Sequence, residues 1–173
     1  MKVYRCRICG DPYIGSSPPP NCPWCGAHGQ FIVLAAEWVD NPVKEMSEAE
    51  RSLLEETLEL EIDNTTFYRS AAQVADTVDG QMLFKALSKI EAEHASTVAK
   101  MLGVPKPDWD KLSQEAFPTH QENLRDSVRR ENRAVKHYRE ALKKAADGRI
   151  REVFNALIEI ESDHIALAEE RLA

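Results

Sequence analysis

From residue 47 onward, apolar side chains recur alternately four and three positions apart, the spacing that draws one stripe along an α-helix. One stripe runs through Leu54, Leu58, Glu61, Thr65, Tyr68, Ala72 and Ala75, and a second through Leu124, Val128, Glu131, Val135, Tyr138, Leu142 and Ala145. Two more comprise Phe84, Leu87, Glu91, His94, Val98 and Met101, and Phe154, Leu157, Glu161, His164 and Ala168. Ser47 with Glu50, and Thr119 with Glu122, read as capping boxes at helix starts. Asp79-Gly80, Gly103 followed by Pro105 and Pro107, and Asp147-Gly148 read as stops. The pattern predicts helices over 47–79, 81–102, 119–147 and 149–172, with Asp108 placed to cap a single turn in the connection 103–118. Two short turns and one long, proline-bearing crossover fit a ferritin-like four-helix bundle better than a simple up-and-down one.

Charged residues interrupt these stripes at matching places. The first and third stripes each carry one Glu in mid-seam, Glu61 and Glu131, and the second and fourth each carry a Glu-x-x-His, Glu91 with His94 and Glu161 with His164. A shift of 70 residues superposes Glu61 on Glu131, Tyr68 on Tyr138, Phe84 on Phe154, Glu91 on Glu161 and His94 on His164 without a gap, so the chain repeats a helical hairpin. Two such hairpins related by a pseudo-twofold bring four Glu and two His to the middle of one bundle. Four ionised carboxylates in a low-dielectric core repel one another, and each loses roughly several kcal/mol of hydration. Two divalent cations cancel that charge, and this donor set is the one di-iron and di-manganese carboxylate bundles use. A single Glu-x-x-His is common on solvated helices, so the inference rests on the four-helix register. Tyr68 and Tyr138 lie two turns beyond Glu61 and Glu131 on the same faces. They read either as core rings with satisfied hydroxyls or as hydrogen-bond donors to a ligand carboxylate and a source of an electron for an oxidised site. His28, His120 and His137 fall off the seams and read as ordinary surface residues.

The N-terminal stretch follows a different pattern. All four cysteines lie in Cys6-Arg7-Ile8-Cys9-Gly10 and Cys22-Pro23-Trp24-Cys25-Gly26, two knuckles whose turns aim two sulfurs each at one point. Four thiolates make a tetrahedral site that suits zinc or iron, and the spacing does not choose between them. Pro18, Pro19 and Pro20 exclude regular structure between the knuckles, and Phe31-Ile32-Val33-Leu34 reads as a short closing strand. A module of this size buries too little surface to fold unaided, so the metal holds it together. The expected organisation is a metal-knuckle domain over 1–38, a linker over 39–46 containing Asp40-Asn41-Pro42, and the bundle over 47–173.

Charge and composition narrow the class. The first 38 residues carry three Lys and Arg against two Asp and Glu, while the remainder carries 19 against 27, so no basic groove for nucleic acid is expected. No run of 18 apolar residues occurs, which argues against a membrane helix. The start runs into the cysteine motif without an apolar signal core, and the expected location is the cytoplasm.

These residues together resemble the rubrerythrin family, in which a ferritin-like di-iron bundle is joined to a rubredoxin-like iron domain. Cys22-Pro23-Trp24-Cys25-Gly26-Ala27 followed by Phe31 looks like the rubredoxin part, and Leu83-Phe84-Lys85-Ala86-Leu87 leading to Glu91-Ala92-Glu93-His94-Ala95 looks like the second bundle helix. The iron-thiolate module comes first, the order of reverse rubrerythrins. The resemblance implies a mononuclear iron on Cys6, Cys9, Cys22 and Cys25, and a di-iron pair on Glu61, Glu91, His94, Glu131, Glu161 and His164. It further implies reduction of hydrogen peroxide to water, with single electrons relayed through the thiolate iron from an external donor protein, as a protection against oxidative stress. Rubrerythrins usually carry another Glu three residues after the third-helix ligand; here that position is Ala134, and its first-helix counterpart is Asn64. Other readings of the same residues are ferrous iron oxidation, oxygen as the main substrate, a zinc-filled thiolate ribbon, and manganese or a mixed pair in the bundle. The short linker leads to the expectation of a homodimer in which electrons cross to a partner subunit's site.

Overall fold

A computed structural model describes residues 1–173. Strands β1 (Lys2–Cys6), β2 (Pro12–Gly15) and β3 (Ile32–Leu34) form an antiparallel sheet in the order β2-β1-β3. Each knuckle occupies a turn at one end of this sheet. Phe31 belongs to a 3-10 turn over Gly29–Phe31, one residue before the closing strand.

Four helices follow: α1 (Glu48–Val74), α2 (Val78–Leu102), α3 (His120–Lys144) and α4 (Gly148–Leu172). The Ser47–Glu50 capping box forms in both directions, whereas at Thr119 the side chain accepts from the Glu122 amide but the Glu122 carboxylate takes the Thr119 hydroxyl instead of its amide, so that box is half-formed. Two of the expected stops are instead starts. α1 ends at Val74 and α3 at Lys144, because Thr77 caps α2 by accepting from the Gly80 amide, and Asp147 caps α4 by accepting from the Arg149 and Ile150 amides. Gly80 therefore lies inside the first turn of α2, where a β-carbon would collide with the His120 ring. Gly103 does end its helix, in the left-handed conformation at φ +69°. In the crossover, Asp108 precedes a 3-10 turn over Trp109–Lys111 but makes no capping bond, pairing with Lys111 at 2.7 Å. The crossover is strapped across the bundle by Arg69 donating to the Trp109 carbonyl at 2.5 Å and by Gln114 donating to Asp63 at 2.8 Å.

α1 pairs with α2 and α3 with α4, the two repeated hairpins, and Tyr68 on Phe84 reproduces the stacking of Tyr138 on Phe154. Buried apolar residues form two clusters. One joins the knuckles (Cys6, Ile8, Cys22, Cys25) to Leu54, Phe154, Leu157 and Ile160, and the other holds Phe67, Tyr68, Phe84 and Leu124. On every helix the seam Glu falls where the chain passes from one cluster to the other. The metal-knuckle module thus shares a core with the bundle of its own chain. No helix is long and apolar enough to cross a membrane.

Candidate metal centres

Cys6 and Cys9 lie at the end of β1 and in the turn after it, and Cys22 and Cys25 occupy the second knuckle. Gly10 and Gly26 adopt φ +89° and +75°, which lets the Gly10 and Gly26 amides turn back onto the Cys6 and Cys22 carbonyls at 3.0 Å each. The sulfurs of Cys6 and Cys25 are 3.7 Å apart and those of Cys9 and Cys22 3.8 Å, too far for disulfides. A tetrahedron with metal–sulfur bonds of about 2.3 Å has an edge of about 3.8 Å, so four thiolates fit one zinc or iron ion. Contact with Cys22 pushes the thiols of Cys9 and Cys25 far up, since the sulfurs cannot all ionise side by side without a cation. The amides of Ile8 and Asp11 donate to the Cys6 and Cys9 sulfurs at 3.4 Å each.

The bundle centre contains all six seam ligands named from the sequence. Glu61, Glu91, Glu131 and Glu161 are fully buried, and His94 and His164 nearly so. They divide into two overlapping groups, Glu61, Glu91, His94 and Glu161, and Glu91, Glu131, Glu161 and His164, whose potential ligand atoms lie within 4.8 Å of one another. Glu91 and Glu161 belong to both. The His94 Nδ1 lies 3.1 Å from Glu161 and 3.6 Å from Glu61, and the His164 Nδ1 lies 2.7 Å from Glu161 and 3.1 Å from Glu91. Yet Glu61 Oε2, Glu91 Oε1, both oxygens of Glu161 and the His164 Nδ1 have no hydrogen-bond partner. Lone pairs converging without donors are the arrangement of a ligand shell, because a buried carboxylate left unpaired is otherwise strongly destabilising. Without a cation the cluster must hold protons. Burial pushes Glu61 up to about 8 and Glu131 well up, the latter helped by the charges of Glu91 and Glu161. Burial likewise opposes ionisation of Glu91, but the adjoining imidazoles of His164 and His94 outweigh it and hold that carboxyl low. Both imidazoles are held protonated well above their usual range, the Glu161 charge overcoming burial.

Both buried tyrosine hydroxyls are bonded to carboxylates of the cluster. The Tyr68 hydroxyl donates to Glu131 Oε1 and the Tyr138 hydroxyl to Glu61 Oε1, each crossing between α1 and α3. Their own ionisation is strongly suppressed, by burial first and by the neighbouring carboxylates second. Asn64, also fully buried, donates from Nδ2 to Glu131 Oε2 at 3.2 Å, and Ala134 offers nothing equivalent to Glu61.

The two centres touch. His94 Nε2 lies 2.9 Å from the backbone carbonyl of Cys25, so one imidazole faces the carboxylates through Nδ1 and the thiolate knuckle through Nε2. The acceptor fixes the tautomer of the ring, since a carbonyl requires Nε2–H. The main chain supplies this partner, and no residue pattern could have announced it. The linker leads the module back onto its own bundle, so crossing to a partner subunit is not required for the two centres to meet. His28 departs from the surface role expected of it by bonding Asp163 on α4 at 2.7 Å, beside Gln30 donating to Glu159 at 3.0 Å. Arg149 donates to the carbonyls of Arg7 and Ile8 at 2.7 and 2.5 Å. His120 packs edge-on against Phe84, and the half-buried His137 bonds Thr57 at 2.8 Å, so neither is purely a surface residue.

No family model matches the chain. It is a homologue of the protein named reverse rubrerythrin-1 in Clostridium acetobutylicum, with 31% identity over 114 residues, which are 60% of this chain and 63% of that protein. The chain therefore spans somewhat less than two thirds of that relative's length. The crystal structure of a conserved hypothetical protein, rv2844, from Mycobacterium tuberculosis superposes with a TM-score of 0.60 at 16% identity, covering 72% of this chain and 90% of that one, a likeness of fold.

Proposed function

We propose that this chain is a rubrerythrin-type oxidoreductase that reduces hydrogen peroxide to water at a di-iron pair in the bundle, supplied with electrons through a mononuclear iron on the four cysteines. The observation that carries the reading is His94, which belongs to the carboxylate cluster and is hydrogen-bonded to the backbone of a thiolate residue. Cys6, Cys9, Cys22 and Cys25 would hold the single iron; Glu61 with His94 and Glu131 with His164 would hold the two ends of the pair, and Glu91 and Glu161 are common to both. Bound there, such a pair would supply the two electrons that, with two protons, convert peroxide to two waters, and an iron on the four cysteines would supply single-electron transfer to refill it.

The protein's own contribution is positional. Tyr68 and Tyr138 fix the outer carboxylates, and the imidazole of His94 is clamped between the knuckle and the cluster. Phe84, Phe154 and the two tyrosine rings shield the centre from bulk water. A tethered carrier raises the effective concentration of the donor for a reaction that needs two electrons delivered one at a time. The proposal includes an external electron-donor protein, a reducing cytoplasmic location that keeps the thiols free, and a homodimer. Unchanged turnover per site in dilute monomer would argue against a functional role for the dimer.

A second reading keeps the same ligands and makes ferrous iron the substrate, oxidised by oxygen or peroxide. Ala134 favours it, since the further carboxylate that rubrerythrins usually carry at this position is missing and the site is left with four Glu and two His. Mixing fully reduced, iron-loaded protein anaerobically with one equivalent of peroxide, and separately with oxygen, separates the two. Prompt peroxide consumption with iron retained in the bundle supports the peroxidase, whereas slow reaction with peroxide and release of ferric iron supports iron oxidation.

A further inference from the structure

We infer that the two halves of the bundle site hold metal unequally, the Glu61–His94 half being the retentive one and the Glu131–His164 half the labile one. The inference rests on the di-metal reading above. The repeat makes the halves look equivalent, because Glu61, Tyr138 and His94 in one answer Glu131, Tyr68 and His164 in the other. Their surroundings are not equivalent in two independent respects.

The first concerns the outer carboxylates. Each accepts a tyrosine hydroxyl at Oε1, and that bond is enough to orient it. At Glu61 this leaves Oε2 buried with no hydrogen-bond donor, its lone pairs free for a cation. At Glu131 the same atom accepts from Asn64 Nδ2 at 3.2 Å. A donor on that oxygen adds no orientation that Tyr68 has not given, and it draws charge from the lone pairs a metal would use. The repeat places Ala134 where Asn64 would have a counterpart, so the competing donor exists on one side only. The Asn64 Oδ1 is itself buried with no partner, so the amide satisfies only half of its hydrogen-bonding capacity by holding Glu131.

The second concerns the imidazoles. His94 donates its distal N–H to the Cys25 carbonyl at 2.9 Å, which presents Nδ1 to the cluster and raises its basicity. The His164 ring has no such acceptor among its contacts. Outer partners of this kind typically change metal affinity about 10- to 100-fold. Both differences point the same way, toward tighter binding beside His94. The ion that stays is then the one adjoining the thiolate knuckle, and the ion that exchanges lies at the far side, beside Asn64.

The test uses the full chain with its thiolate iron in place and the bundle emptied by chelation. One equivalent of manganese(II) is added, since that ion prefers oxygen and nitrogen donors to thiolate, and anomalous diffraction reads the occupancy at each half. The expected result is at least about a tenfold excess at the Glu61–His94 half. Asn64→Ala should narrow that excess several-fold by freeing Glu131 Oε2, and Ala134→Asn should narrow it by burdening Glu61. Equal occupancy in the unsubstituted chain, an excess at the Glu131–His164 half, or a ratio unmoved by either substitution would overturn the inference while leaving the di-metal reading standing. Absence of manganese from both halves at excess metal would overturn both.

Discussion

Gly26 sits where the thiolate knuckle meets the bundle, and its replacement by Ala measures how firmly the two are docked. At φ +75° any side chain is strained, and a β-carbon there would lie 3.1 Å from Ile160 Cγ2 and 3.8 Å from Ile90 Cγ2. Ile160 is buried and its β-branched side chain has little rotamer freedom with which to retreat. Gly10 provides the internal control: its φ is +89°, but a β-carbon would meet only the flexible ends of Arg5 and Lys100, at 3.7 and 3.9 Å. Both substitutions carry a left-handed strain of about 1–2 kcal/mol. Only Gly26→Ala adds the overpacking of a buried contact, about 1–3 kcal/mol. If that extra cost falls on docking, the ratio of docked to undocked module drops about 5- to 150-fold relative to Gly10→Ala. Tryptic cleavage after Lys44 reads this ratio, because Val43 and Met46 pack against the shared core and the Lys44 amide donates to Asp147 at 3.2 Å. Cleavage then tracks the open population when opening is fast. Equal cleavage rates and equal melting temperatures for the two variants would refute a specific dock at Ile160.

Replacing Glu91 or Glu161 with Ala should abolish metal at the bundle centre and leave the colour of a thiolate iron intact, read by metal analysis and the visible spectrum; loss of both signals together would contradict two separate centres. Tyr138→Phe should lower metal affinity at the bundle about 10- to 100-fold with little change in helix content, checked by competition with a chelator and by circular dichroism. Glu50 joins the start of α1 to the α3–α4 turn by accepting from the amides of Ala146 and Asp147 at 2.7 and 2.9 Å. The Asp147 amide first, and the Ser47 hydroxyl and amide next, hold its carboxyl down to about 2 from the usual 4.5. Its contribution is therefore complete above about pH 4.5 and disappears as pH falls toward 2, so Glu50→Ala should cost about 1.5–3 kcal/mol at pH 7 and converge on the unsubstituted protein in acid denaturant melts.

The helical repeat, the convergence of the six seam Glu and His and that of the four cysteines were legible because each depends on local periodicity or spacing. Glu61 and Glu131 stood out for one reason, that a carboxylate interrupted an otherwise apolar stripe. Asp147-Gly148 misled because Asp serves equally well as an N-cap, and Asp79-Gly80 misled because both lie in the first turn of a helix capped by Thr77, which lacks the Glu three residues on that marks a capping box. The bond from His94 to the Cys25 carbonyl, the anchoring of the knuckle by His28 and Arg149, and the reach of Asn64 across to Glu131 join residues distant in the chain. They depend on how the module settles on α2 and α4, and on the rotation of α1 against α3, which no single segment encodes. The 70-residue repeat even argued for two equivalent halves, and only the packed side chains broke that symmetry.

If the two centres form one electron circuit, the colour of the thiolate site reports it. Anaerobic protein, assayed for iron and zinc and then fully reduced, is mixed with one equivalent of hydrogen peroxide while the visible spectrum is followed. Iron in both centres and a prompt appearance of the red ferric tetrathiolate are expected in the unsubstituted protein, with no such change in Glu91→Ala, whose bundle is empty. Zinc on the cysteines, or equally fast reddening in Glu91→Ala, would contradict a relay between the thiolate iron and the bundle.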